Sequence, residues 1–268
     1  AGDNFTLTVA GYRWSAADDA DNDGLADAAA NLADNGLTPN FAWATTLTAS
    51  GNLPGIATGA ITRQSTGTGT IAQGEFAGGA ATVADWRYSE AGNVFLAAAA
   101  SNYITAGISV SGNSGHDGSG AAGGYVGRFR PKHFRLDGVT PPTLANRAAL
   151  LPGCASTFSY LDEAIRLSFK LVAENAQNVL TQNYSGAYAK LNPAAPAVFG
   201  FGARSGSTNL TPRVSALYPG AAPAWASGAL DITTGNPVNL TVARAATPDG
   251  PYPGVQFGIG PVDGDGTA

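Results

Sequence analysis

Phe5-Thr6-Leu7-Thr8-Val9 alternates apolar and polar residues, and Ile165-Arg166-Leu167-Ser168-Phe169-Lys170-Leu171 does the same in the other half of the chain. Period two marks a strand with one buried face, because successive side chains leave the backbone on opposite sides. Related punctuation follows each stretch. Thr38-Pro39-Asn40-Phe41 leads to Leu47, and Thr181-Gln182-Asn183-Tyr184 leads to Leu191. Further on, Phe76-Ala77-Gly78-Gly79-Ala80 resembles Trp225-Ala226-Ser227-Gly228-Ala229, and strand-like alternation follows both (Thr82-Val83, Asp231-Ile232). The chain reads as two related halves.

The spacings differ in one place. Phe5 to Phe41 is 36 residues and Ile165 to Tyr184 is 19, an excess of 17 that coincides with the acidic stretch Asp18–Asp34. An insertion into a strand-to-strand loop explains it, since closure entropy grows only logarithmically with loop length. The expected fold is all-β: tandem antiparallel, immunoglobulin-like β-sandwich modules over about 1–126, which carries the insertion, and 127–268. Leu25–Asn31 and Leu144–Leu151 are expected to form short helical turns. The Gly- and Ser-rich stretch Ser109–Gly124 is expected to be an exposed mobile loop.

Composition agrees with turns and strands. Only 12% of the 268 residues are charged, and there are 36 Gly and 16 Pro. Globular domains average roughly 25% charged residues, so neutral polar groups must cover much of this surface. The hydrophobic share of 44% supplies a core. No apolar run approaches the roughly 18 residues of a membrane span. A net charge of −5 with three Lys argues against nucleic acid as a partner. One Cys, Cys154, excludes an internal disulfide framework; it pairs outside this segment or is simply buried. Without Met at residue 1, or anywhere else, the chain is expected to be a segment of a longer protein. Low charge with abundant Thr, Asn and Gly suggests an exported bacterial surface protein.

Tyr88-Ser89-Glu90-Ala91-Gly92 and Val126-Gly127-Arg128-Phe129-Arg130-Pro131-Lys132-His133-Phe134 carry a family resemblance. It continues through Cys154, Phe158-Ser159-Tyr160, Asn183-Tyr184-Ser185-Gly186, Arg244, Pro248-Asp249-Gly250-Pro251-Tyr252, Gly258-Ile259 and Asp263-Gly264-Asp265-Gly266. In these the chain resembles the C-terminal region of the MshQ-like MSHA biogenesis proteins, which accompany type IV pili of Gram-negative bacteria. The resemblance covers most of the chain and is firmer after residue 80. It implies a pilus-associated, extracellular surface location, with pilus components or other domains of the same protein as partners, and it carries over no catalytic residue. The acidic insertion is not expected of every relative, and relatives would continue beyond Gly266.

The sharpest local motif is Asp19-Ala20-Asp21-Asn22-Asp23-Gly24-Leu25-Ala26-Asp27. Carboxylates at loop positions one, three, five and nine, with Gly at six and a main-chain carbonyl from Leu25 at seven, match the spacing that converges on one Ca²⁺. Ala30 stands where a bidentate acid would complete an EF-hand loop, so Asn31, Asp34 or water would have to fill the shell. The competing reading is a solvated acidic loop. If Ca²⁺ binds, its role is structural. Asp263-Gly264-Asp265 is a weaker chelate candidate, and Asp-Gly pairs are more often turns. Arg128–Arg135 holds four of the 14 Lys and Arg among aromatics, which reads first as a linker or edge strand and second as an anion-binding patch.

No Gly-x-Ser-x-Gly elbow, phosphate loop or His-Glu-x-x-His motif occurs, and the two histidines, His116 and His133, lack telling neighbours. An enzyme is therefore not expected. The function expected is a structural, adhesive module of a pilus-associated extracellular protein, in a fibre, filament or homo-oligomer. The alternative is a carbohydrate-binding, lectin-like module assisted by calcium, for which Trp14, Trp43, Trp86 and Trp225 and the tyrosines offer stacking faces but no assignable site.

Overall fold

A computed structural model describes residues 1–27, 30–117, 119, 123–146 and 158–267. Two compact units emerge: residues 1–131 together with 175–183, and residues 132–174 together with 184–268. The described residues are built of antiparallel strands, and the 3-10 turns between them are three or four residues long. Among the described residues, no helix is long and apolar enough to cross a membrane.

The first unit contains β1 (Phe5–Ala10), β2 (Thr45–Leu53), β3 (Ile61–Arg63), β4 (Thr70–Ile71), β5 (Ala80–Tyr88), β6 (Gly92–Tyr103), β7 (Ile108–Asn113) and β8 (Tyr125–Phe129). One sheet runs β1-β5-β3; the other runs β4-β2-β6-β7, with β8 also on β6. Period-two burial appears where the sequence alternates. Along β5, Ala81, Val83, Trp86 and Tyr88 are buried while Thr82 and Ala84 are exposed. These four meet Leu47, Ile71, Val94 and Leu96 of the opposite sheet in one core. Each large side chain fully buried there is worth roughly 1.5–3 kcal/mol. The unit is thus a two-sheet sandwich.

The second unit contains β9 (His133–Leu136), β10 (Thr143–Ala145), β11 (Ile165–Glu174), β12 (Gly202–Ser205), β13 (Thr208–Asn209), β14 (Val214–Leu217), β15 (Ala229–Ile232), β16 (Val238–Val242) and β17 (Gln256–Gly258). Strand β11 is its spine. The N-terminal part of β11 pairs with β10 and β16 and the C-terminal part with β9 and β15. Seven of its ten residues are buried, so its Ile165–Leu171 alternation gives way to nearly continuous burial. A small sheet, β13-β12-β17, completes the unit.

The paired motifs have matching geometry. Ala77 and Ala80 exchange both main-chain hydrogen bonds around Gly78 and Gly79, and Ala226 and Ala229 do so around Ser227 and Gly228. All four central residues have positive φ, between 46° and 90°. That is the turn whose twist suits the strands it joins. Strand β5 leaves the first turn to pair with β1, and β15 leaves the second to pair with β11.

Three local expectations need correction. Ile108–Asn113 is strand β7, not loop: Ile-Ser-Val-Ser alternates, and that period outweighs the Gly-rich composition that follows it. Thr143–Ala145 pairs with Ser168–Arg166 as a strand, so Leu144 does not begin a helix, and the rest of that expected turn from residue 147 lies outside the described residues, as does Cys154. Leu25–Asp27 and Ala30–Asn31 are irregular, and a 3-10 turn follows them at Leu32–Asp34; residues 28 and 29 lie outside the described residues.

Candidate metal centre

The inserted loop folds around its own carboxylates. Asp19 is buried, and both its oxygens accept main-chain N–H groups, from Asp23 and Gly24, at 3.0 Å each. Asp21 accepts from Asp23 N–H at 3.3 Å, and Asp23 from Leu25 N–H at 2.8 Å. Asn22 and Gly24, with φ of 58° and 83°, make the reversals that allow this. Gly suits such a position because it has no Cβ to clash. Carboxylate oxygens of Asp19, Asp21 and Asp23 therefore lie within 4.8 Å of one another. Asp27 is not in that group; its Oδ2 accepts from Ala20 N–H at 3.1 Å, closing the loop on itself. Three hard oxygen donors at this spacing suit a Ca²⁺-sized cation, with Leu25 and Asp27 next along the loop.

The loop is moored at both ends. Asn35 Nδ2 donates to Asp18 at 2.6 Å, and Leu32 N–H donates to the carbonyl of His116 at 2.9 Å. His116 is buried, with Nε2 2.8 Å from Asn113 Nδ2. Gly115 N–H donates to Asn113 Oδ1, which fixes that amide's orientation and makes Nε2 an acceptor. Burial pushes the His116 pKa below its ordinary value, against the opposing pull of the Asp27 main chain and the Asp18 charge. His116 is thus a neutral mooring post for the insertion, a role nothing in its Gly- and Ser-rich surroundings announces.

The resemblance motif has a different role. Glu90 is buried and accepts N–H groups from Gln182 at 3.0 Å, Asn183 at 2.9 Å and Ala91 at 3.3 Å. Asn183 then accepts from Ile56 and Ala57 and donates to the Ala57 carbonyl, all at 2.9 Å. Asn175 donates to the Ser89 carbonyl at 2.9 Å. Tyr88-Ser89-Glu90 and Gln182-Asn183 therefore form one clamp that holds residues 175–183 in the first unit. Burial raises the Glu90 pKa, partly offset by the three N–H groups, and Tyr88 is pushed up to about 12 by burial and by the Glu90 charge. Gly92 comes so close to the Leu53 carbonyl that a Cβ would lie 1.9 Å from the oxygen. No local pattern announces this role for Glu90, because Gln182 and Asn183 lie 92 and 93 residues further along the chain.

Other polar candidates are also saturated. Glu174, buried in the second unit, is bound by Arg135 through contacts of 2.6–3.1 Å and by His133 Nε2 at 3.2 Å; the Arg135 hydrogen bonds lower its pKa. Asp263 accepts from Tyr184 Oη at 2.8 Å and from Asp265 and Thr267 N–H at 2.9 and 2.8 Å, which is the work of a turn. The basic segment contributes core aromatics: Phe129 packs on Phe5 and Tyr88, and Phe134 on Tyr184 and Trp225. Trp86 and Trp225 are buried, whereas Trp43 is half-buried and Trp14 is 67% exposed.

The family model described as DUF6701, third domain, covers residues 90–268. No curated protein matches the chain. No solved structure matches it either.

Proposed function

Because the chain belongs to the DUF6701 family, through that family's third domain, we propose that it is a structural, adhesive module of a pilus-associated extracellular surface protein like MshQ. In this reading the sandwiches are immunoglobulin-like spacers and docking bodies, joined in a fibre or filament outside a Gram-negative cell. The observation that carries the reading is how the buried carboxylates are used. Glu90, Glu174 and Asp263 each bind main-chain N–H groups, Arg or Tyr that brace the fold. None of these partners leaves a carboxylate facing a shared reacting centre. The Asp19–Asp23 cluster adds a structural Ca²⁺ that stiffens the insertion. Antibodies raised against the module should decorate the surface of intact parent cells and co-purify with sheared pili. Labelling confined to permeabilised cells would overturn the reading.

A second reading has its own observation. Phe158 and Tyr160, 57% and 55% exposed, stack edge to face at 5.2 Å beside a cleft of about 920 Å³ that also exposes Arg244 and Asp249. Aromatic faces beside polar groups suit a sugar ring. A glycan array tests it: specific binding that Tyr160→Ala removes supports the lectin, and a silent array excludes it.

A further inference from the structure

Within the first unit the two sheets leave a groove of about 370 Å³. Leu7, Val9, Ala98 and Val126 line it and reach the core cluster only partly buried, over a floor of Leu47 and Leu96. Strands β1 and β7, which border the groove, are each the last strand of their sheet among the described residues. Among the described residues no further strand pairs with the outer edge of either. Neither edge carries a charged or proline guard. Residues 5–12 and 101–116 contain no Asp, Glu, Lys, Arg or Pro. Free edges ordinarily carry such residues, or bulges, to prevent pairing with another chain. The register irregularities lie at Phe5/Leu7 and Ala100/Tyr103, so Leu7–Ala10 and Val110–Asn113 remain regular.

The groove is acidic where Asp117 lines it. Tyr12, Leu32, His116 and Asp117 line it, and the insertion crosses there through the Leu32–His116 hydrogen bond. The Asp117 carboxylate accepts from Ser119 N–H and from Ser119 Oγ. Asp18 bears electrostatically on His116 from the insertion side. No Lys or Arg is among the described residues that line the groove.

We propose that this groove receives an extended segment of another protein chain, apolar at alternate positions and carrying a Lys or Arg where it meets the His116–Asp117 end. Strand spacing sets its length: the five steps from Leu7 to Tyr12 span about 16 Å at roughly 3.3 Å per residue, so about six residues fit alongside. Main-chain hydrogen bonds to β1 or β7 supply affinity, and alternate side chains entering the groove supply register. This deepens the reading of the chain as an assembly module and rests on it, by naming the contact through which a neighbour docks.

The test uses two fluorescent peptides that alternate valine and threonine over eight positions, with lysine at the first or the last. One of them is expected to bind saturably and to slow hydrogen exchange of β1 and β7 alone. Glutamate in place of its lysine should weaken binding at least tenfold, and Asp117→Lys should reverse that preference. Ala98→Leu, which fills the groove from β6, should abolish binding. If Ala98→Leu lowers the melting temperature, the exposed Asp117→Lys still decides. No saturable binding at millimolar peptide overturns the proposal, as does protection elsewhere or indifference to the charge swap. Concentration-dependent dimers that protect the same strands without peptide would show that a second copy takes the groove, which overturns the choice of a foreign segment. Each of these failures leaves the cell-surface labelling result untouched.

Discussion

A carboxylate sealed behind three main-chain N–H groups titrates differently from one in water. Burial raises the pKa of Glu90 above the usual 4.5, so the folded protein holds that proton more tightly than the unfolded chain does. The associated stability is full below about pH 4.5 and falls as pH rises through the raised value. Urea midpoints measured from pH 4 to 7 should show this slope, and Glu90→Gln should flatten it. Glu90→Ala leaves buried N–H groups without an acceptor and should cost about 2–4 kcal/mol. His116 runs the other way. Its lowered pKa means the unfolded chain binds the proton more tightly, so acidification through about pH 6.5 should loosen the insertion. Faster exchange of the Leu32 amide, which donates to the His116 carbonyl, is the expected signal. Gly92→Ala combines a φ of 97° with a Cβ only 1.9 Å from the Leu53 oxygen, and should destabilise by about 2 kcal/mol or more in the same urea series.

At the scale of elements, the inserted loop offers the clearest experiment. If Ca²⁺ occupies the Asp19–Asp23 cluster, adding it at a hundredfold its Kd should stabilise the protein by about 2.7 kcal/mol, and a chelator should remove the gain. Asp19→Asn and Asp23→Asn should each abolish the calcium-dependent rise in melting temperature, whereas Asp34→Asn, outside the cluster, should not. What could be read ahead of the structure follows from range. The strands β1 and β11 and the turns at Gly78-Gly79 and Ser227-Gly228 are encoded by neighbouring residues, and they were legible. The spacing of Asp19, Asp21 and Asp23 is local as well, so their convergence could be anticipated. Strand β7 was missed because glycine and serine counts masked the alternation of Ile108 and Val110. The Glu90 clamp was missed because Gln182 and Asn183 reach it through the fold alone, and no local period reports such a partnership.

At the scale of the whole chain, the family match and the folded units do not share boundaries. The match begins at Glu90, yet β6 within it is laddered to β2, residues 46–53, which lie before it. A protein starting at residue 90 would expose the edge of a twelve-residue strand and should aggregate. Light scattering of a 90–268 fragment against the full chain tests this. The segment 175–183 draws the opposite boundary, because it belongs to the unit otherwise built from residues 1–131. A gene truncated after Pro131 would then encode an incomplete body whose missing piece is a short peptide. Supplied in trans, that peptide should rescue folding, making the first sandwich a natural split-protein reporter.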